Sequence, residues 1–284
     1  MTRDGEAIQC GSERFVLSER THIMGILNTT PDSFSDGGKY HGESAVAHGL
    51  RLKEQGADVI DIGGESTRPG AAPVSIAEEQ DRVLPVIADL VKEGVDTISI
   101  DTRNADTAKE ALHAGASWIN DVMGFRDPQM VHVAPQADAY ILMHSRDTPE
   151  KMQEGPIEYA DVVDEVRSFF EERVAYAAKN GLHPQKIILD PGIGFGKTLA
   201  HNLALTNSID RMQVAGTAGF LYGPSRKRFL GELTGIEQAE DRDIATMGAL
   251  AVAVANGAHV VRVHDVMNTR HFLQVLDSCR RCGI

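Results

Sequence analysis

The sequence predicts an α/β protein with the architecture of a (β/α)8 TIM barrel, built as a single domain over residues 1–284. Eight short apolar runs rich in β-branched residues alternate with longer amphipathic stretches, as in parallel βα units. Most of these runs are apolar on both faces, which is typical of strands enclosed by helices. The length of 284 residues is also ordinary for such a barrel.

The predicted elements follow one another regularly along the chain. Residues 1–21 are expected to form a lead-in, a hairpin that closes the bottom of the barrel. The eight strand runs are HIMGILN (22–28), ADVIDIGG (57–64), TISIDT (97–102), SWINDV (117–122), AYILMHS (139–145), KIILDPG (186–192), AGFLYG (218–223) and VVRVHD (260–265). Helical patterns such as IAEEQDRVLPVIADLVKEG lie between them, and several end at a glycine, a common helix stop.

Composition and charge exclude several functional classes. With 42% hydrophobic and 24% charged residues, the chain has an ordinary globular composition. A net charge of −13 argues against general affinity for nucleic acid or anionic membranes. We found neither a signal peptide nor an apolar run of the ~18 residues that span a bilayer, so we expect a cytoplasmic protein. Cys279 and Cys282 form a C-R-R-C without a second ligand pair, and are interpreted as incidental, with a redox pair as the alternative.

Polar side chains follow nearly every predicted strand. They are Asn28, Asp61, Glu65, Asp101, Asn120, Asp121, His144, Asp190, Arg262 and His264. In a barrel the carboxyl ends of the strands converge at one mouth, where catalytic groups lie. Any one of these residues could simply cap the next helix, but the whole set exceeds what capping requires. We therefore predict an active site at this mouth.

Three loops at the same mouth carry further signals. NTTPDSFSDGGKYHG and GGESTRPGAAPVS are long enough to indicate function, and we interpret them as lids rather than as disordered insertions. In GPSRKRFLG, Arg226, Lys227 and Arg228 occupy the first turn of a predicted helix, where cations are unfavourable unless an anion binds; a solvated basic turn is the alternative. DPGIGFGKT is not a Walker A loop, because Pro191 occupies the place of the first glycine.

These blocks together resemble the dihydropteroate synthase family. They are MGILNTTPDSFSDGG (24–38), DIGGESTRPG (61–70), SIDT (99–102), INDV (119–122), LMH (142–144), DPGIGFGKT (190–198), GPSRKRFLG (223–231) and RVHDV (262–266), in the family's order. The resemblance implies a transferase of folate biosynthesis. Such an enzyme condenses 6-hydroxymethyl-7,8-dihydropterin pyrophosphate with para-aminobenzoate, giving dihydropteroate and pyrophosphate. It also implies Mg²⁺ and a homodimer.

The resemblance further implies a role for each matching residue. Asp101, Asn120 and Asp190 would accept hydrogen bonds from the pterin, Lys227 would donate one, and Met143 and Phe195 would cover the ring. The pyrophosphate would be bound by Asn28, Arg262 and His264, with Asn28 also a Mg²⁺ ligand. The aminobenzoate would contact Thr67, Arg68, Pro69, Phe195 and Arg228. The catalytic set is Asp36, Arg68, Lys227, Arg262 and His264, and the C–O bond is expected to break before the amine attacks.

The pattern also has departures and competitors. Arg228 stands where the family often has Ser, and its guanidinium could bind the aminobenzoate carboxylate or turn outward. The fifth loop, HSRDTPEKMQ, lacks a glycine often found there. A corrinoid-dependent methyltetrahydrofolate methyltransferase shares the pterin-binding barrel, but has no use for the two lids. A non-catalytic pterin-binding paralogue should have lost Asp36, Arg68, Arg262 or His264, which are all present.

Overall fold

The apolar runs form the strands that the sequence predicts, and these close into a parallel barrel. The computed structural model describes residues 7–10, 13–29, 41–65, 73–148, 151–152 and 155–282. Two short strands come first, β1 (Ala7–Cys10) and β2 (Glu13–Val16). The barrel strands are β3 (His22–Asn28), β4 (Val59–Gly63), β5 (Ile98–Asp101), β6 (Trp118–Asp121), β7 (Ala139–Met143), β8 (Ile187–Asp190), β9 (Gly219–Tyr222) and β10 (Val260–Val263).

Neighbouring barrel strands pair in sequence order, and β10 pairs with β3 to close the sheet. Both contacts of β10, with β3 and with β9, are parallel. All the carboxyl ends therefore lie at one mouth. The predicted (β/α)8 barrel is confirmed.

Helices surround this sheet. Their bounds are α1 (His41–Gln55), α2 (Ile76–Lys92), α3 (Ala105–Ala114), α4 (Met130–Val133), α5 (Val162–Lys179), α6 (Leu199–Thr206), α7 (Arg228–Thr234), α8 (Asp243–Ala255) and α9 (Val266–Arg281). Local chemistry fixes several of the starts: Ser75 accepts from the Glu78 amide to begin α2, and Asp161 accepts from two amides to begin α5. In the part of the chain that the structure describes, we find no helix with the length and apolarity that a membrane crossing needs.

The bottom of the barrel is closed by the lead-in, as predicted. Strands β1 and β2 pair antiparallel. The buried side chains of Ile8, Phe15 and Leu17 join a cluster inside the barrel with Met24 and Trp118, among others. A second and larger core lies between the strands and the helices. Apolar packing thus fills the lower barrel, and the polar strand ends are left at the mouth.

Candidate active site

A cleft opens at the carboxyl ends of the strands. It is lined by Asp101, Asn120, Val122, Met143, Asp190, Phe195, Gly223, Lys227 and Arg262. The six residues predicted to contact a pterin are all among them. Arg262, which was predicted to bind pyrophosphate, lies in the same cleft. The sequence argument had not selected Val122 or Gly223.

A charged network forms one wall of the cleft. Arg262 donates from Nε to Asp61 Oδ2 and from Nη2 to Asp101 Oδ2, each at 2.6 Å. Asn120 Nδ2 donates to the same Asp61 oxygen at 3.1 Å. The Arg262 side chain is 20% exposed and Asp61 is fully buried. Two carboxylates therefore contact the guanidinium that was predicted to be catalytic and to bind the pyrophosphate.

Three oxygen atoms of this network have no hydrogen-bond partner among the described residues. They are Asp61 Oδ1, Asp101 Oδ1 and Asn120 Oδ1, and all three are buried. A buried acceptor left unpaired costs about 1–3 kcal/mol, so such groups normally meet a ligand or a water molecule. Two of these oxygens belong to residues that line the cleft, Asp101 and Asn120, and both can accept from N–H groups, as the sequence-based prediction requires.

Burial shifts the protonation of these groups. It raises the pKa of Asp101 to about 7, against the opposing effect of the Arg262 guanidinium. Burial also raises the pKa of Asp190, although the nearby Lys227 charge lowers it. The pKa of Lys227 falls to about 8 for the same reason, against the attraction of Asp190. A ligand that donates to both carboxylates and accepts from the lysine would offset the cost of these buried charges.

The segment DPGIGFGKT forms a tight turn rather than an anion loop. The Gly192 amide donates to Asp190 Oδ1 at 2.8 Å, and the Phe195 amide donates to the Gly192 carbonyl at 3.0 Å. The turn places Phe195 against the buried side chains of Val122, Met123 and Met143. The Lys227 ammonium lies 4.8 Å from the centre of the Phe195 ring. Asp190, Phe195 and Lys227 thus enclose one side of the cleft.

The basic segment after β9 does not form the predicted three-cation anion site. Arg226 makes a paired contact with Asp243, with N–O distances of 2.8 and 2.7 Å. Lys227 donates to the Ile193 carbonyl at 2.5 Å and lines the cleft. Arg228 is 91% exposed and pairs with Glu232 at 2.9 Å on the next turn of α7. The three cations do not form a joint anion site because each of them contacts a different partner.

The outward alternative for Arg228 is therefore the one observed. Pairing between residues four positions apart on a helix satisfies the guanidinium locally. This placement gives no support to Arg228 as an aminobenzoate ligand. Ser225, three residues before Arg228, contacts a residue of the mouth directly. Its Oγ lies 2.9 Å from His264 Nδ1 and accepts from the His264 amide at 3.2 Å.

The remaining predicted site residues are Asn28, His264 and four loop residues. Asn28 ends β3, is half-buried, and lies opposite Gly63 on β4. No group of three or more His, Cys, Asp or Glu within the described ranges could hold a metal ion. Asp36, Thr67, Arg68 and Pro69 lie outside the described residues. Their predicted roles stay predictions.

One residue of the charged network was given no role from the sequence. Asp61 appeared only among the polar strand ends, yet it joins Arg262 to Asn120. The available signal was an aspartate inside the apolar run VIDIG, where a charge is costly unless it is partnered. The partner lies 201 positions away along the chain, and nothing in the local pattern identifies it.

The closed barrel and its polar cleft define an enzyme of the pterin-binding class. A family model for pterin binding enzymes matches residues 24–264. The chain is 43% identical over 274 residues to dihydropteroate synthase of Synechocystis sp., covering 95% of this chain and 94% of that protein. It is 45% identical over 265 residues to dihydropteroate synthase of Neisseria meningitidis serogroup C, covering 92% and 93%.

Solved structures give the same result. Xanthomonas albilineans dihydropteroate synthase with 4-aminobenzoic acid superposes with a TM-score of 0.90 at 42% identity, over 97% of this chain and 98% of that one. The same enzyme in complex with 7,8-dihydropteroate superposes with a TM-score of 0.86 at 40% identity, over 97% and 99%. The chain belongs to the dihydropteroate synthase family.

Proposed function

We propose that this protein condenses 6-hydroxymethyl-7,8-dihydropterin pyrophosphate with para-aminobenzoate, forming 7,8-dihydropteroate and pyrophosphate. One observation carries the proposal: Asp101 and Asn120, which line the same cleft as Lys227, each carry a buried oxygen without a hydrogen-bond partner among the described residues. A pterin ring has N–H groups along one edge and acceptor atoms beside them, so it complements this arrangement. The names of the relatives and structural neighbours agree with this chemistry.

The cleft residues divide the work of binding a pterin. Asp101, Asn120 and Asp190 accept from its amide and amine edge, and Lys227 donates to its acceptor atoms. Met143 and Phe195 supply apolar surface for the flat ring. Each neutral hydrogen bond contributes about 1 kcal/mol, and those to charged groups contribute more. The pterin would therefore be held in the cleft by its polar edge and by its flat face.

The leaving group needs positive charge where its own charge develops. Three carboxyl groups, Asp61, Asp101 and Asp190, lie with two cations, Arg262 and Lys227, so the set is neutral when Asp101 is protonated and negative when all three are ionised. His264 lies at this end, with its Nδ1 2.9 Å from the Ser225 hydroxyl, and the tautomer with a proton on Nε2 would supply a donor. These residues alone do not form a strongly cationic site for a pyrophosphate.

This charge balance supports a requirement for Mg²⁺. The half-buried carboxamide of Asn28 offers an oxygen, the ligand type that Mg²⁺ prefers. A single protein ligand fits an ion that is held mainly by substrate phosphates and water. When bound, Mg²⁺ would neutralise charge on the departing pyrophosphate. Asn28 and His264 would then orient the pyrophosphate, while Arg262 contacts it from inside the cleft.

We infer that the C–O bond breaks early. The carbon that loses the pyrophosphate is a methylene attached to an electron-rich dihydropterin, so the positive charge left on it can spread into the ring. The weak aniline nucleophile then needs no strong base. Asp36 of the first loop would stabilise that charge, and Thr67, Arg68 and Pro69 of the second would surround the aminobenzoate. These four roles rest on the family resemblance.

A homodimer is the assembly that we propose. Large apolar side chains are exposed on the adjacent helices α7 and α8: Leu233 at 51%, Ile244 at 84% and Val252 at 41%. Exposed apolar surface of this kind often marks a protein contact. Sedimentation of the wild type and of Ile244→Glu tests this, and a monomeric wild type would contradict it. The cytoplasmic location stays a prediction.

Pyrophosphate release, measured with and without para-aminobenzoate, tests the proposed reaction. We expect release from the pterin pyrophosphate to be strongly stimulated by the amine, with dihydropteroate formed in equal amount. Asp190→Asn should bind a pterin less tightly and turn over more slowly. A protein that binds pterin but releases no pyrophosphate would be a non-catalytic paralogue. Transfer of a methyl group from methyltetrahydrofolate would instead indicate the corrinoid-dependent class.

A further inference from the structure

Lys197 is buried behind the cleft, where its ammonium meets three acceptors. The residue is 5% exposed. Its Nζ lies 2.9 Å from His144 Nδ1, 3.0 Å from the Phe195 carbonyl oxygen and 3.3 Å from the His144 carbonyl oxygen. An ammonium carries three hydrogens, so each has an acceptor.

The protonation of the pair agrees with donation from Lys197 to the histidine. Burial and the Lys197 charge hold the pKa of His144 well below its usual range, so the ring is neutral and Nδ1 can accept. Burial lowers the pKa of Lys197 to about 7, although the charge of Asp190 favours the ammonium. Lys197 is therefore an ammonium mainly below about pH 7, the form that the Asp190 carboxylate of the pterin cleft favours.

The acceptors belong to two segments that together form the cleft wall. His144 follows β7, and its amide donates to the Asp190 carbonyl at 2.9 Å. Phe195 lies in the turn after β8. The turn is also held by the Gly194 amide, which donates to Asn202 Oδ1 at 2.8 Å, and by the Tyr159 hydroxyl, which donates to the Gly196 carbonyl at 3.1 Å. Lys197 therefore joins the end of one strand to the turn after the next.

The geometry points to Lys197 as a positioning residue, which fixes the Phe195 peptide so that the aromatic ring covers the bound pterin. This inference rests on the proposed function, because it takes the ligand of the cleft to be a pterin. Loss of the ammonium removes the only side-chain donor that we find on the Phe195 carbonyl among the described residues. The turn can then rotate, and the pterin loses one apolar face. Lys197 itself does not touch the ligand.

A double-mutant cycle between Lys197 and Phe195 tests this role. Lys197→Met keeps the buried aliphatic stem and removes the donors. We expect it to weaken the binding of an unphosphorylated pterin, measured by calorimetry, by about tenfold. Phe195→Ala should weaken binding to a similar degree. The double variant should bind no more than about twofold more weakly than Phe195→Ala, because both changes remove the same contact.

Controls separate positioning from general destabilisation. Thr198→Ala removes the cap of α6, a 3.3 Å bond from the His201 amide, without touching Phe195 or His144. It should lower the melting temperature but leave pterin affinity unchanged. If Lys197→Met does not fold, His144→Leu and His144→Asn replace it. The leucine removes the Nδ1 acceptor, whereas the carboxamide oxygen of asparagine can restore it, so only the leucine variant should lose affinity.

Several results would overturn the inference. Independent, multiplied losses in the double variant would mean that Lys197 acts elsewhere. A lower kcat with unchanged pterin affinity would indicate a direct role in the reaction. Equal losses in Thr198→Ala and Lys197→Met would indicate a structural role only. Because calorimetry needs no turnover, a failure of the proposed reaction is distinguished from a failure of this inference.

Discussion

Substitution of Gly192 by alanine gives the sharpest test of the turn that forms the cleft wall. Gly192 has a φ of 63°, and a Cβ there would lie 1.9 Å from the carbonyl oxygen of His144. Gly194, two residues later, has a φ of 82°, and its Cβ would meet only the flexible Lys227 Cδ at 3.4 Å. The two positions share an unfavourable backbone conformation for alanine. They differ in whether a backbone atom blocks the side chain.

The expected costs follow from that difference. A left-handed conformation costs a non-glycine residue about 1–2 kcal/mol, and this applies at both positions. Ordinary van der Waals contact begins at 3.4 Å, so in Gly192→Ala the turn must move away from His144 by about 1.5 Å. This movement breaks the bonds from the His144 amide to the Asp190 carbonyl and from the Gly192 amide to Asp190 Oδ1. At about 1 kcal/mol each, they bring the total to about 3–4 kcal/mol.

Urea unfolding of the two variants measures these costs. Gly194→Ala should lower the free energy of unfolding by about 1–2 kcal/mol, and Gly192→Ala by about 2 kcal/mol more. Calorimetry should show that Gly192→Ala also loses pterin affinity, because Asp190 and Phe195 move with the turn. Equal destabilisation by the two substitutions would refute the reasoning, since the close approach to His144 would then have no energetic effect.

Three further predictions concern charged residues of the mouth. Pterin affinity should rise by up to about tenfold per pH unit as the pH increases to about 7, because burial raises the pKa of Asp101 and a proton must leave before the carboxylate accepts; calorimetry should find this rise absent in Asp101→Asn, and its persistence there would assign the titration to another group. Arg262→Ala should reduce turnover and also weaken the binding of the unphosphorylated pterin, because it leaves the Asp61 and Asp101 carboxylates without their cation. Removing one partner of a buried ion pair costs about 3–5 kcal/mol of stability. Unchanged pterin affinity would mean that Arg262 acts only on the pyrophosphate. Arg228→Ser should raise the KM for para-aminobenzoate no more than about threefold, because the side chain is exposed and paired with Glu232; steady-state kinetics showing a rise above about tenfold would place the guanidinium on the substrate.

The fold could be predicted because its signals are local and repeated. Each strand run carries its own apolar pattern, and the predicted run 22–28 coincides with β3, His22–Asn28. Parallel order then places the carboxyl ends at one mouth, whatever the details of packing. The positions of Asp101, Asn120 and Asp190 in the cleft follow from the same rule, since each is the last or the penultimate residue of its strand.

The partners of the three cations after β9 could not be predicted from local patterns of this kind. Arg226 has a φ of 60° and pairs with Asp243 at the start of α8, a partner that only the folded chain brings near. The sequence indicated three charges in one turn, and the structure directs them to three different partners. Lys197 is a similar case, because the sequence excluded a Walker A loop but gave the side chain no role, and the structure buries it against His144.

Closure of the barrel is the event that creates the site. Arg262 lies on β10, which neighbours β3 and β9, whereas its partners lie on β4 and β5. The guanidinium therefore crosses the interior of the barrel instead of pairing along the sheet. Only a closed sheet with a narrow interior places Asp61 and Asp101 within 2.6 Å of the same side chain. The same closure leaves the second oxygens of the two carboxylates unpaired, one of them on Asp101 at the cleft, so the barrel and its capacity to bind a donor-rich ring arise in one step.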